Sequence, residues 1–207
     1  YIIILMIELQ LKLLGDKVRN DAFAKALKKT IKPGQTTIAD IGSGTGFLSF
    51  LASRLGAKDC FLYEADSDIF KISKELAKLN KIKNCHFFNA HSTEIAKPPK
   101  VDIVVSETIG NYALEENIIE NIEDAKRFLK PGGEIIPCGL DQFVAPIVSP
   151  RVMNEINVWD KVGFDLDLAP AREAALNNMY VFKITPADLL KHPIAVQKWD
   201  SINFYDR

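Results

Sequence analysis

Two stretches of this 207-residue chain bring together residue types that do chemistry. The first is Asp40-Ile41-Gly42-Ser43-Gly44-Thr45-Gly46, three glycines at alternate positions behind an acidic residue. Glycine accepts positive φ and lets a ligand reach the backbone where a Cβ would block it. A dinucleotide-binding turn would read G-x-G-x-x-G and seat a pyrophosphate on the next helix N-terminus. Here the third glycine comes one place early, and Asp40 would repel a pyrophosphate. An aspartate in that place suits a ligand that carries an amine and a sulfonium. The second stretch is Ser106-Glu107-Thr108-Ile109-Gly110-Asn111-Tyr112-Ala113-Leu114-Glu115-Glu116, in which Glu107 and Glu116 stand nine residues apart around Gly110.

Both stretches need a scaffold, and the hydrophobic pattern supplies one. Apolar residues at helical spacing from Ile7 to Leu27, interrupted near Gly15-Asp16, predict two helices, and Pro33-Gly34 predicts a turn. Strands are predicted at residues 36–41, 60–63, 85–88, 101–105 and 134–136, and helices at 47–55, 68–79 and 118–129. Such alternation builds a mostly parallel sheet with helices on both faces, an α/β Rossmann-like fold. Val101-Asp102-Ile103-Val104-Val105, β-branched almost throughout, reads as a central strand. The glycine loop then lies at the carboxyl end of the first strand and Glu107 at the end of the fourth, where ligands sit in such sheets. Beyond Pro137 the texture changes to short β-like runs at 142–148, 179–184 and 194–199, with Thr185-Pro186 as a capped helix start. The expected organisation is N-terminal helices over residues 1–34, a ligand-binding domain over 35–137, and a smaller β-rich, truncated unit over 138–207.

Bulk properties narrow the function classes. A hydrophobic fraction of 47% with 26% charged residues is globular composition. The net charge of −1 supplies no field that would draw the chain to nucleic acid or anionic lipid. Cys60, Cys85 and Cys138 form no CxxC pair and no even disulfide framework, so a reducing cytoplasm is the expected location. His86, His91 and His192 are isolated, and no metal-ligand spacing occurs. The apolar start at residues 1–7 is stopped by Glu8, well short of the ~20 residues a membrane span needs. It reads as a packed helix, and Tyr1 suggests a chain cut from a longer parent.

The glycine loop resembles motif I of class I methyltransferases that use S-adenosylmethionine (SAM). Three further features carry that resemblance: Glu64 at the end of the second strand, Ser92 and Thr93 after the third, and the turn Leu129-Lys130-Pro131-Gly132-Gly133-Glu134 before the fifth. It implies that Asp40, Gly42, Gly44 and Gly46 cradle the cofactor, that Glu64 accepts from ribose hydroxyls, and that Ser92 and Thr93 meet the adenine. The loop after the fourth strand has no Asn-Pro-Pro-Tyr-like segment of amide or base-nitrogen methylases, and no cysteine nucleophile.

Its two glutamates resemble the double-glutamate hairpin of the protein arginine methyltransferase family. Leu14-Gly15-Asp16-Lys17-Val18-Arg19 is similar to that family's N-terminal helical motif, and Trp159-Asp160-Lys161-Val162-Gly163-Phe164-Asp165 to the start of its dimerisation arm. The resemblance implies that Arg19 binds the SAM carboxylate, that Glu107 and Glu116 grip the acceptor guanidinium, that the substrate is a basic protein or peptide, and that the chain forms a homodimer. Glu116 also reads as part of a solvated helix face, and Arg19 as an exposed helix arginine. The chain departs from the family at Gln10, Thr108, Ile109 and Asn111, and lacks a threonine-histidine-tryptophan loop. Transfer to a lysine or small amine, or a silent SAM-binding regulatory module, are the alternatives these departures leave open.

Overall fold

The computed structural model describes residues 2–110, 112–113, 117–191 and 195–206. Its elements begin with helix α1 (Ile2–Gly15) and helix α2 (Lys17–Thr30). Asp16 separates them as the N-cap of α2, its side chain accepting the Arg19 N–H at 3.0 Å. Then follow β1 (Thr37–Ile41), α3 (Phe47–Arg54), β2 (Asp59–Tyr63), α4 (Ser67–Leu79), β3 (Cys85–Phe88), β4 (Val101–Ser106), α5 (Ile118–Ala125) and β5 (Leu129–Ile136). The five strands form one parallel sheet in the order β3-β2-β1-β4-β5. Parallel strands are covered on both faces, and the period of two divides the core accordingly. Ile38, Cys60, Leu62, Ile103 and Val105 pack with Phe23 and Leu27 of α2 and Leu48 and Ala52 of α3. Ala39, Ile41, Tyr63 and Val104 face the other way, toward Ala125 and Phe128.

Two sequence expectations about this sheet need correction. The helix that starts at Ile118 ends at Ala125 rather than Leu129, and a 3-10 turn (Lys126–Phe128) leads straight into β5. The fifth strand starts correspondingly early. Leu129 pairs with Val101, the register then shifts, and Glu134 pairs with Ile103. Pro131 has no N–H to give, and Gly132 takes φ +75°, so the stretch between these pairings bulges out of the ladder.

The chain divides into two compact units, Tyr1–Leu140 with Ile202–Arg207, and Asp141–Ser201. Within the first, Ile202 and Phe204 join Ala113, Ile118, Ile122 and Ile135 in a third buried cluster, which anchors α5 and the end of the loop before it. β6 (Gly139–Val144) and β7 (Gln197–Asn203) pair as a separate two-stranded sheet. The second unit also holds α6 (Pro150–Ile156) and α7 (Ala169–Leu176). The run at 179–184 forms no strand; the unit's further β contact is a bridge between Ile147 and Leu189. The capped start at Thr185 is a single 3-10 turn, with Thr185 and Asp188 closing a capping box. No described helix is long and apolar enough to cross a membrane.

Candidate functional site

The glycine loop leaves β1 at its carboxyl end, with Gly42, Gly44 and Gly46 at φ +67°, +54° and +85°. Two bonds fix its course: Ser43 N–H donates to the Tyr63 carbonyl at 3.0 Å, and Gly44 N–H to Glu64 Oε2 at 2.8 Å. The other carboxylate oxygen of Glu64 accepts the Asp66 N–H at 2.7 Å. Glu64 is therefore held at the end of β2, beside the loop. Asp40 lies beneath it, 1% exposed, and accepts the Ser49 hydroxyl at 2.7 Å and the Ser49 N–H at 3.2 Å. Burial pushes its carboxyl up to about 7, against the pull of those two bonds and with a smaller push from the Glu64 charge. Ser49 is a site residue that sequence reasoning missed, since a serine in the first turn of a helix carries no motif.

Parallel pairing brings the second stretch to the same place. Ile41 at the end of β1 is in register with Ser106 at the end of β4, and the Ser106 hydroxyl donates to the Ile41 carbonyl at 2.9 Å. Glu107 thus emerges next to the glycine loop. A Cβ on Gly42 would come within 2.7 Å of Thr108 Cγ2, so the two loops touch where only glycine fits. Arg19, in the first turn of α2, forms an ion pair through Nη1 with Glu107 Oε2, and both side chains are largely buried. Its Nη2 donates to Asn20 Oδ1 at 3.2 Å, while Nε is buried without a hydrogen-bond partner among the described residues.

Arg19, Asp40, Gly42, Gly44 and Glu107 line one small cavity of about 40 Å³. Gln10 of α1 closes it: its side chain lies within 3.0 Å of where a Gly44 Cβ would be, and its Oε1 accepts the Thr45 hydroxyl at 3.3 Å. Ser43 Oγ is buried without a partner among the described residues. A recess against a glycine-rich loop, lined by an arginine and two carboxylates, has the makings of a site for a zwitterionic amino-acid ligand.

The remaining expected residues divide. Ser92 follows β3 and is 2% exposed, with its hydroxyl buried and unpartnered among the described residues. Thr93 is exposed, and its hydroxyl sits 2.8 Å from His91 Nδ1. Glu116, with Asn111 and Glu115, lies outside the described residues. Among the described residues, no cluster of His, Cys, Asp or Glu is placed to hold a metal ion.

The chain is similar to known proteins at the level of family, sequence and fold. A family model described as ribosomal protein L11 methyltransferase (PrmA) matches residues 23–154, well over half of the chain. Protein arginine N-methyltransferase 6 of Xenopus tropicalis is 31% identical over 199 residues, an alignment that covers 91% of this chain and 58% of that protein. Probable protein arginine N-methyltransferase 3 of Arabidopsis thaliana is 33% identical over 207 residues, covering 91% of this chain and 34% of that one. The chain thus spans between about a third and three fifths of the length of these relatives. Among solved structures, one chain of the Trypanosoma brucei PRMT1 enzyme-prozyme heterotetrameric complex with AdoHcy superposes with a TM-score of 0.84 at 21% identity, over 95% of this chain and 62% of that one. Protein arginine methyltransferase 10 of Arabidopsis thaliana superposes with a TM-score of 0.74 at 22% identity, over 94% and 62%. At these identities the two structures attest the fold.

Proposed function

The chain belongs to the methyltransferase family described as ribosomal protein L11 methyltransferase (PrmA), and we propose that it transfers a methyl group from SAM to an arginine side chain of a protein. The observation that carries the proposal is the position of Glu107: a carboxylate at the end of β4, against the glycine loop, already engaged with a guanidinium. The relatives named as arginine methyltransferases support the choice of acceptor.

The residues present fit the cofactor. Gly42, Gly44 and Gly46 clear the approach to the backbone, Glu64 offers carboxylate lone pairs to ribose hydroxyls, Arg19 is suited to a carboxylate, and the unpartnered hydroxyls of Ser43 and Ser92 are suited to polar ligand atoms. Ligand pockets run to about 300–1,000 Å³, far more than the cavity here, so Gln10 has to swing off Gly44 for the group to enter. When bound, SAM supplies an electrophilic methyl on a sulfonium and a neutral thioether as leaving group.

An arginine guanidinium is always charged and is a poor nucleophile. Two carboxylates, Glu107 and Glu116, hold it bidentately and draw its positive charge toward the nitrogens they bind. The remaining nitrogen would be left richer in electrons, the atom to attack the methyl that the cofactor supplies. Alignment at near-attack distance supplies up to ~7–11 kcal/mol. The proton on that nitrogen becomes acidic as the new bond forms and would pass to water, so no strong base is required. Incubation with labelled SAM and arginine-rich peptides should yield methylarginine, and Glu116→Gln should reduce the yield sharply; undiminished transfer by that variant contradicts the two-carboxylate mechanism.

The expected acceptor is a basic protein segment. Two members of the nearby acidic run are matched within the chain, Glu123 by Lys126 and Asp124 by Arg127. Homodimerisation is supported by the apolar exposure of Trp159, Val162, Phe164 and Leu166, and sedimentation as a monomer would count against it. Three free thiols support a reducing, cytoplasmic setting.

A further inference from the structure

Arg127 is the most heavily engaged arginine outside the site just described. Its Nη1 donates to the Ile95 carbonyl and its Nη2 to the Ser92 carbonyl. Its Nε donates to Asp124 Oδ1 at 2.9 Å, and Nη2 also reaches Asp124 Oδ2 at 3.4 Å. The guanidinium stands over the Phe128 ring, 4.9 Å from its centroid, and Phe128 meets the Tyr63 ring edge-on at 5.1 Å. These contacts span three parts of the fold. Ser92 opens the 3-10 turn (Ser92–Glu94) that follows β3, and Ile95 closes it. Asp124 lies in the last turn of α5, the helix that leaves the acceptor loop. Phe128 is fully buried under the sheet.

A surface ion pair needs none of this. The carbonyls at the two ends of one short turn are held by a single planar fork, which a point charge such as lysine cannot reproduce. The turn so fixed carries the buried Ser92 hydroxyl, which has no partner among the described residues. Buried hydroxyls are rarely left unsatisfied, so this one is oriented for an atom the chain does not supply.

We infer that Arg127 is a positioning residue for the adenine end of the cofactor pocket: it fixes the turn carrying Ser92 and ties that turn to α5, and so to the acceptor loop. The inference rests on the SAM-binding reading above. It assigns no contact between Arg127 and the cofactor; the guanidinium acts through the turn.

Calorimetric titration with S-adenosylhomocysteine and with methylthioadenosine, which keeps the nucleoside but lacks the amino acid, tests it on the full chain. Arg127→Lys should weaken both ligands by the same factor, about tenfold, which is what one charge-assisted hydrogen bond is worth. Arg19→Lys should weaken S-adenosylhomocysteine and leave methylthioadenosine within about twofold. A merely structural Arg127 would lower the melting temperature and leave both affinities, measured well below melting, unchanged; that result overturns the inference. So does a loss confined to S-adenosylhomocysteine. Asp124→Asn, which loosens the fork without removing it, should shift both ligands in the same direction as Arg127→Lys, and carries the test if the lysine variant does not fold. Failure of the wild-type chain to bind either ligand would instead sink the SAM-binding reading itself, and this inference with it.

Discussion

Replacing Asp40 by asparagine isolates what burial does to the carboxylate behind the glycine loop. Asp40 is 1% exposed, and its bonds from Ser49 recover only part of the hydration it has lost, so its carboxyl is raised to about 7. In the unfolded chain an aspartate titrates near 3.9. A raised pKa means that the fold favours the protonated form. Its stabilising contribution is complete below about pH 4 and disappears as the pH climbs through about 7. One pKa unit corresponds to 1.36 kcal/mol, so a shift of roughly three units is worth about 4 kcal/mol in total, of which about 2–3 kcal/mol is lost between about pH 5 and pH 8. Asparagine keeps the size and a carbonyl for Ser49 but has no proton to lose. Urea unfolding followed by circular dichroism, for both chains across that range at fixed ionic strength, gives the difference directly and cancels every other titrating group. The wild-type chain should lose about 2–3 kcal/mol relative to Asp40→Asn on going from about pH 5 to pH 8. Parallel profiles would mean that Asp40 is ionised throughout in the folded chain, and the burial argument would be refuted.

Three other outcomes follow from the same geometry. Gly44→Ala puts a Cβ at φ +54° and within 2.8 Å of Gln10 Nε2, so it should cost about 1–2 kcal/mol in thermal unfolding and remove S-adenosylhomocysteine affinity by calorimetry; unchanged affinity would mean that no ligand approaches this backbone. Glu107→Gln takes the charge from the partner of a largely buried Arg19; methyl transfer to peptide should fall at least about a hundredfold while cofactor affinity falls less, and equal losses in both would argue for a purely structural pair. Ile122→Ala, at a 1% exposed position in the cluster anchoring α5, should destabilise the first unit by about 2–5 kcal/mol in denaturant unfolding, and a loss below about 1 kcal/mol would show that the cluster is loosely packed.

The parallel sheet was legible because its strands are short apolar runs bounded by turns, and because motif, strand end and helix start are neighbours in sequence. What was lost depended on partners far along the chain. Lys126-Arg127-Phe128 continue the helical spacing of α5, and nothing local reveals that Leu129 pairs with Val101 and pulls the chain out of the helix. The run at 179–184 has strand-like residues, but a strand forms only where a sheet edge receives it. In the site, the glycine loop and the strand-end acids Glu64 and Glu107 could be read directly. The Arg19–Glu107 pair spans 88 residues and joins two groups that the sequence had assigned separate duties. Gln10 showed only as a departure from the family pattern, whereas its closeness to Gly44 depends on how α1 packs.

The central claim is that the carboxyl ends of β1, β2 and β4 receive a sulfonium nucleoside, and calorimetric titration tests it most directly. Titrated separately with S-adenosylhomocysteine, a nicotinamide dinucleotide and a flavin nucleotide, the chain should take up the first at one site and ignore the other two. Uptake of a dinucleotide or flavin, with no heat from S-adenosylhomocysteine, would contradict it.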